Sequence, residues 1–293
     1  MTDQPRAPIN RPASARPRGA ATDAADGETE PLSAAELAAI EFGFADLSRH
    51  SGAEVRQAAE LGAAVVYLPG RGVGYNFVAC PRWAGIDVAG RLAQVASLMR
   101  SYGEWPALVV ADGLSEPPTL AAELAAAGWL RLEGELVMAT RQPTVVPHLD
   151  PSLRIEAVTA RTTDEYEALE RAIFGLSPDF AATRREHLAA WVDRGDLRGY
   201  LVRLHGEAVA TARLAGGTGE QIRGIYGVGV AAAHRRHGLG TLVTAVATRA
   251  ALASGGALAW LSVDEHNEPA LGVYRRLGFS PAYRWSRWVG PEV

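Results

Sequence analysis

The sequence predicts an α/β (α+β) fold in which one succession of elements occurs twice along a chain of 293 residues. Three observations carry this. Apolar residues recur with strand and helix periods in alternation along most of the chain. Apolar residues make up 48% and charged residues 21%, enough to build a core in one large domain or two ordinary ones. The stretch "LAAAGW" (Leu124 to Trp129) is echoed by "YRRLGF" (Tyr274 to Phe279), each a helix end followed by a strand. The glycines concerned, Gly128 and Gly278, stand 150 residues apart, nearly half the chain, as a repeated fold requires.

Residues 1–31, rich in Pro, Ala and Arg, show no period that buries a face and read as a disordered tail. Residues 32–142 read as a first domain. It opens with a helix capped by Ser33 that carries Leu37, Ile40 and Phe44 on one side. Two strands follow in "AAVVYLPGRGVGYNFVAC", joined at Pro69 to Gly74. Then come a helix over 89–100, a strand in "PALVVAD", a helix in "LAAELAAAG" and a strand in "LEGELVMAT". Residues 143–151 contain three prolines and read as a linker.

Residues 152–293 read as a second domain, opening with the strand "LRIEAVTA" and helices over 163–174 and 182–194. Two strands in "GYLVRLHGEAVATARL" turn at His205-Gly206. "QIRGIYGVGV" is a further strand, and after "HRRHGLG" the residues Leu239, Leu242, Val243, Val246 and Ala250 keep helical spacing. "ALAWLSVDEHN" is a strand with its exit, "EPALGVYRRLG" a short helix ending at Gly278, and "YRWSRWV" a closing strand.

Composition excludes several classes. The net charge of −4 argues against general nucleic-acid binding. No run of about 18 apolar residues suggests a membrane span, and the N-terminus lacks a secretory apolar stretch. The single cysteine, Cys80, rules out an internal disulfide framework and a multi-thiolate zinc site. Together these predict a cytoplasmic protein. All 29 basic residues are arginine, so any phosphate contact must use a guanidinium.

The segment His234 to Gly240, "HRRHGLG", sets positive charge against glycines. His234 and His237 lie before a helix, with no cysteine nearby, which is a poor metal shell. A nucleic-acid patch would need more basic or stacking residues, and a solvated basic turn is the plain structural alternative. A phosphate cradle explains more of the segment. A helix start presents unpaired N–H groups and a favourable dipole, Gly238 and Gly240 let an anion approach, and Arg235 and Arg236 attract it. "GRGVG" at 70–74 reads as a hairpin turn with no helix behind it.

With its flanks, this segment resembles the acetyl-CoA core of the GNAT N-acetyltransferase superfamily. Arg235, Gly238 and Gly240 match that family's pyrophosphate loop. Asn267, Ala270, Tyr274, Leu277, Gly278 and Phe279 match its downstream segment. The resemblance covers about 151–293, with a fainter, degenerate copy in the first half. It implies the GNAT fold, a mixed, mostly antiparallel sheet flanked by helices, present twice in tandem. It implies acetyl-CoA as co-substrate and no metal. Val228, Gly229 and Val230 would pair with the pantetheine arm, and a backbone N–H near Val228 would meet the developing oxyanion. Arg235, Arg236, His237, Gly238, Leu239, Gly240 and Thr241 would hold the pyrophosphate, with Asn267 beside the cofactor. Tyr274 would protonate the departing thiolate; its plain alternative is a core-covering aromatic. Leu124, its counterpart in the first half, cannot.

The carboxylate base of many relatives falls here near Gly224, which has no side chain. Glu220, Tyr226, Asp264 and His266 are candidates, beside a water relay or an already neutral acceptor. The acceptor, expected to be a small-molecule amine, would meet the segment "FGLSPDFAATRREH", where Asp179 and Glu186 can attract a cation and Phe174 and Phe180 can shape an apolar wall. The expected protein is an acetyl-CoA-dependent N-acetyltransferase, with no nucleic-acid or membrane partner and a homodimer left open. The rivals are a CoA-binding sensor without turnover and a transferase of another acyl group.

Overall fold

A computed structural model describes residues 30–142, 145–147, 150–215, 221–253 and 255–291. The expected tail at 1–29, four residues of the expected linker and Glu220 lie outside these. Local chemistry sets the element ends. Helix α1 (Ala34–Asp46) starts at a capping box in which Ser33 Oγ accepts from the Glu36 amide while the Glu36 carboxylate accepts from the Ser33 amide. Ile40 is fully buried beneath it, with Leu37 and Phe44 packed on the same cluster.

Strands β1 (Glu54–Ala58), β2 (Ala63–Tyr67) and β3 (Phe77–Ala79) follow; β1 lacked a clear period in the sequence. Helix α2 (Val88–Ser101), β4 (Ala107–Ala111), helix α3 (Leu120–Ala126) and β5 (Leu130–Thr140) complete the first half. The second half runs β6 (Leu153–Ala157), α4 (Thr163–Phe174), α5 (Pro178–Arg194), β7 (Leu197–Leu204), β8 (Glu207–Ala215) and β9 (Ile222–Val230). It ends with α6 (Leu239–Ala253), β10 (Leu258–Asp264), α7 (Glu268–Arg276) and β11 (Ser280–Val289). Helix α5 begins four residues before the expected 182, because Ser177 caps the Phe180 amide and Pro178 occupies the first turn.

One sheet carries all eleven strands, in the order β1-β2-β3-β4-β11-β5-β10-β9-β8-β7-β6. Only β3/β4 and β9/β10 are parallel pairs; the others are antiparallel. The order read inward from either end is nearly the same, so β1 to β5 match β7 to β11. The last strand of each half crosses into the other: β5 lies between β10 and β11, and β11 between β4 and β5. Residues 32–293 accordingly form one compact unit. Gly128 and Gly278 both take left-handed backbone, φ 78° and 83°, as matching helix ends require.

Candidate active site

The site is set by how β9 leaves its neighbours. It pairs with β10 only from Ile222 to Gly224, opposite Leu258 to Trp260, after which β10 continues against β5. From Ile225 to Val230 the β10-facing edge of β9 therefore has no strand partner among the described residues. On its other edge β9 carries a bulge, since the step from Thr211 to Arg213 of β8 spans Tyr226 to Gly229. Gly227 sits there at φ 57°, and a Cβ on it would collide with the Glu170 carboxylate. The extra residue reverses which way the side chains point. Ile222 and Tyr226 pack with Trp260 and α1, whereas Val228 and Val230 pack with α6.

A buried ion network holds this bulge from the α4–α5 side. Glu170 accepts from the Tyr166 hydroxyl at 2.7 Å, from Arg213 Nη1 at 2.8 Å and from Arg184 Nη2. Burial pushes the Glu170 carboxyl up, but Arg213 and Arg184 outweigh it and leave it below the usual range, hence charged. Glu167, nearby, is raised by burial. A Cβ on Gly229 would strike Ile173 and Phe174, so α4 packs directly on the strand's backbone.

Beyond β9, Arg235 Nε donates to the Val230 carbonyl at 3.2 Å, and the chain reaches α6 through Arg236 (φ 66°) and Gly238 (φ 78°). The amide of Leu242 donates to Gly238, so the amides of Leu239, Gly240 and Thr241 precede the first intrahelical bond. A cavity of about 900 Å³ opens between β9, this helix start and α7. Eleven of the twelve residues singled out in the sequence line it; His237 does not, its Nδ1 turning back to the His234 carbonyl at 3.4 Å. The charged lining is dominated by Arg235, Arg236 and Arg276, with Glu268 the only carboxylate among the described residues. A Cβ at Gly238 would meet no protein atom within 4 Å, so the space beside it is open. Asn267 also caps α7, its Oδ1 accepting from the Ala270 amide at 3.3 Å.

Tyr274 lines the same cavity and is 7% exposed. Burial, with a smaller contribution from the Glu135 charge, pushes its phenol up to about 12, so it holds its proton at neutral pH. Glu135 belongs to the crossed strand β5 and accepts from the Ser262 hydroxyl.

The base candidates separate. A Cβ at Gly224 would collide with the phenol of Tyr226, so that ring occupies the space into which a side chain at 224 would project. Tyr226 lies edge-on to Trp260, with ring centroids 5.3 Å apart. Asp264 Oδ1 accepts from the His266 amide, the His266 ring is exposed, and neither residue lines the cavity. Of the expected acceptor residues, Phe174 lines the cavity. Phe180 is instead buried between Tyr75, Arg71 and Arg184, because α5 begins early enough to turn it inward. Asp179 is exposed on α5, and the Glu186 side chain lies outside the described residues.

A second cavity, of about 570 Å³, lies on the Tyr226 side of β9, and no local pattern pointed to it. It is assembled from α1, α5 and the starts of β9 and β10, segments too far apart in the chain to share a local pattern.

A profile of the Acetyltransferase (GNAT) family matches residues 162–279, from the start of α4 to the beginning of β11. Over those residues the chain is similar to the GNAT family. Solved structures extend the likeness over both halves. A GCN5-related N-acetyltransferase from Kribbella flavida is similar over 90% of this chain and 98% of its own, at 21% identity and a TM-score of 0.67. A tandem GNAT protein from the clavulanic acid biosynthesis pathway is similar over 79% of this chain and 80% of its own, at 23% identity and a TM-score of 0.58. A GCN5-related N-acetyltransferase from Sphaerobacter thermophilus covers 90% of this chain and 96% of its own, at 18% and 0.55. No curated protein matches the chain significantly. The GNAT fold is thus present in tandem, and within the described residues no helix is long and apolar enough to cross a membrane.

Proposed function

We propose that this protein is an acetyl-CoA-dependent N-acetyltransferase acting on a small-molecule primary amine, with its chemistry in the second half. The observation that carries this reading is the shared cavity. An open strand edge, an arginine-flanked helix start with glycine at the approach and a protonated phenol all line one space. The chemistry needs no metal, and we place the enzyme in the cytoplasm.

Bound acetyl-CoA supplies an acyl group activated as a thioester. The amides of Leu239 to Thr241, with Arg235 and Arg236, hold its pyrophosphate. The unpaired edge at Val228 to Val230 binds the pantetheine amides as an added strand, and the Val228 N–H steadies charge on the acyl oxygen. Tyr274 donates its phenolic hydrogen to the departing sulfur. Its raised pKa keeps the donor protonated, while full transfer to a thiolate of pKa about 8.5 is uphill, so its work is chiefly hydrogen bonding as the C–S bond breaks. The Tyr226 hydroxyl stands beside Gly224, where it can pass the amine's proton to water.

Incubation with acetyl-CoA and a panel of amines, following free thiol, tests the activity. Wild type should release thiol with at least one amine and Gly238→Glu should release none, having lost CoA binding. CoA bound without turnover on any amine would instead indicate a sensor. Normal CoA affinity in Gly238→Glu would remove the pyrophosphate assignment.

A further inference from the structure

The second cavity lies on the opposite face of β9 from the first, and the two are built for opposite charges. Among the described residues, three arginines face one carboxylate around the first, and the charged residues lining the second are Asp46 and Asp196. Its one histidine, His50, is held neutral, its pKa pushed down to about 4 by burial and by the charge of Arg213. Its walls are Phe42, Trp191, Tyr226 and Trp260. Such faces favour a cation as well as an apolar body.

The carboxylates stand apart from the reacting end. Leu197 pairs with Ala215, which pairs with Gly224, so Asp196 sits two strands from Gly224, roughly 10 Å across the sheet. Asp46 lies at the end of α1, one helical turn before His50, whose ring meets Trp191 at 4.7 Å. Each carboxylate also holds an arginine, Asp46 with Arg49 at 2.6 Å and Asp196 with Arg194 at 2.9 Å, which fixes its position and leaves an oxygen for a ligand.

A nitrogen that attacks a thioester must be neutral and gains nothing from a carboxylate at that moment. Asp196, some 10 Å away by strand count, serves instead a charge that persists through the reaction. Resting on the acetyl-transfer reading above, we infer that the acceptor is a small organic amine bearing a second, permanent positive charge, of the diamine class. Its apolar body lies between Trp260 and Trp191, its reacting nitrogen beside Tyr226, and its distal cation between Asp46 and Asp196. Nearly half the lining, from Ala39 to His50, comes from the first half of the chain. The half that lacks Tyr274's counterpart thereby has a role: it selects the acceptor.

Quenching of tryptophan fluorescence by 1,4-diaminobutane, 1-aminobutane and 4-aminobutyrate, without CoA, tests the class independently of turnover. The diamine should bind about tenfold or more tighter than either monocation or zwitterion, as expected for one partly desolvated charge pair. The preference should shrink with added salt and fall in Asp46→Asn/Asp196→Asn. Equal binding of all three compounds, or a preference unchanged in that variant and insensitive to salt, would overturn the inference. The same compounds, offered with acetyl-CoA, separate the two readings. Diamine selectivity without thiol release would leave the acceptor class standing and remove acetyl transfer. Thiol release fastest with 4-aminobutyrate would do the reverse.

Discussion

The two halves of the sheet solve the same topological problem with opposite endings. In the second half β9 and β10 part after Trp260, and the gap is left as a cavity reached by Arg235, Gly238 and Tyr274. In the first half β3 and β4 pair at a single position, Val78 with Leu108, and apolar side chains pack around it. Trp83, fully buried with its Nε1 donating to the Leu61 carbonyl, packs in one apolar cluster with Val78, Leu108, Leu120 and Leu124. At the head of α2, where α6 offers Gly238 and arginines, stands Asp87, its carboxylate in the space a Cβ on Gly90 would need. Asp87 makes no side-chain cap bond, but its negative charge complements the helix dipole and repels an added anion. On the reading proposed above, whether a copy of this fold takes an anionic ligand depends on what packs between two strands and on the sign of charge at one helix start.

The sharpest way to break this comparison is Tyr274→Phe. Turnover should fall roughly 10²-fold or more, as for loss of a proton donor, with CoA affinity nearly unchanged, while Leu124→Tyr in the wild type adds nothing. Steady-state kinetics beside a CoA titration reads both; unaltered turnover would remove Tyr274 from the chemistry. Next, Trp83→Ala should lower unfolding stability by about 3–5 kcal/mol, seen by denaturant melts, without creating a second CoA site, because Asp87 still guards the helix start. A smaller effect concerns the seam between the halves. His50 stays neutral when folded until pH falls to about 4, whereas the unfolded chain protonates it near 6.5. Its contribution is therefore complete above about 6.5 and lost as pH falls from there to 4, up to roughly 3 kcal/mol. His50→Phe should flatten stability across that window; an unchanged slope would show that His50 does not report on the seam.

Much of the second half was legible in sequence because its signals are local. The loop from Arg235 to Gly240, the cap at Asn267 and the helix end at Gly278 each follow from a few neighbouring residues. The α5 start was legible too, in Ser177-Pro178, but the helical spacing beyond it drew the boundary later. What stayed hidden depends on distance in the chain. The crossing of β5 and β11 swaps two strands of similar pattern, and no periodicity distinguishes a strand's own half from the other. The bulge at Gly227 leaves no local mark, yet it is what sends Tyr226 and Val228 to opposite faces. Asp46, Trp191 and Asp196 meet only because α1 of the first half lies over β9 of the second.

On the reading proposed above, one half of this tandem chain, and not the other, holds acetyl-CoA between β9 and α6. Calorimetric titration of acetyl-CoA into the full-length protein tests it most directly. One molecule should bind per chain in wild type and in Asp87→Gly, and none in Gly238→Glu. Two molecules per chain in wild type, or one still bound in Gly238→Glu, would contradict it.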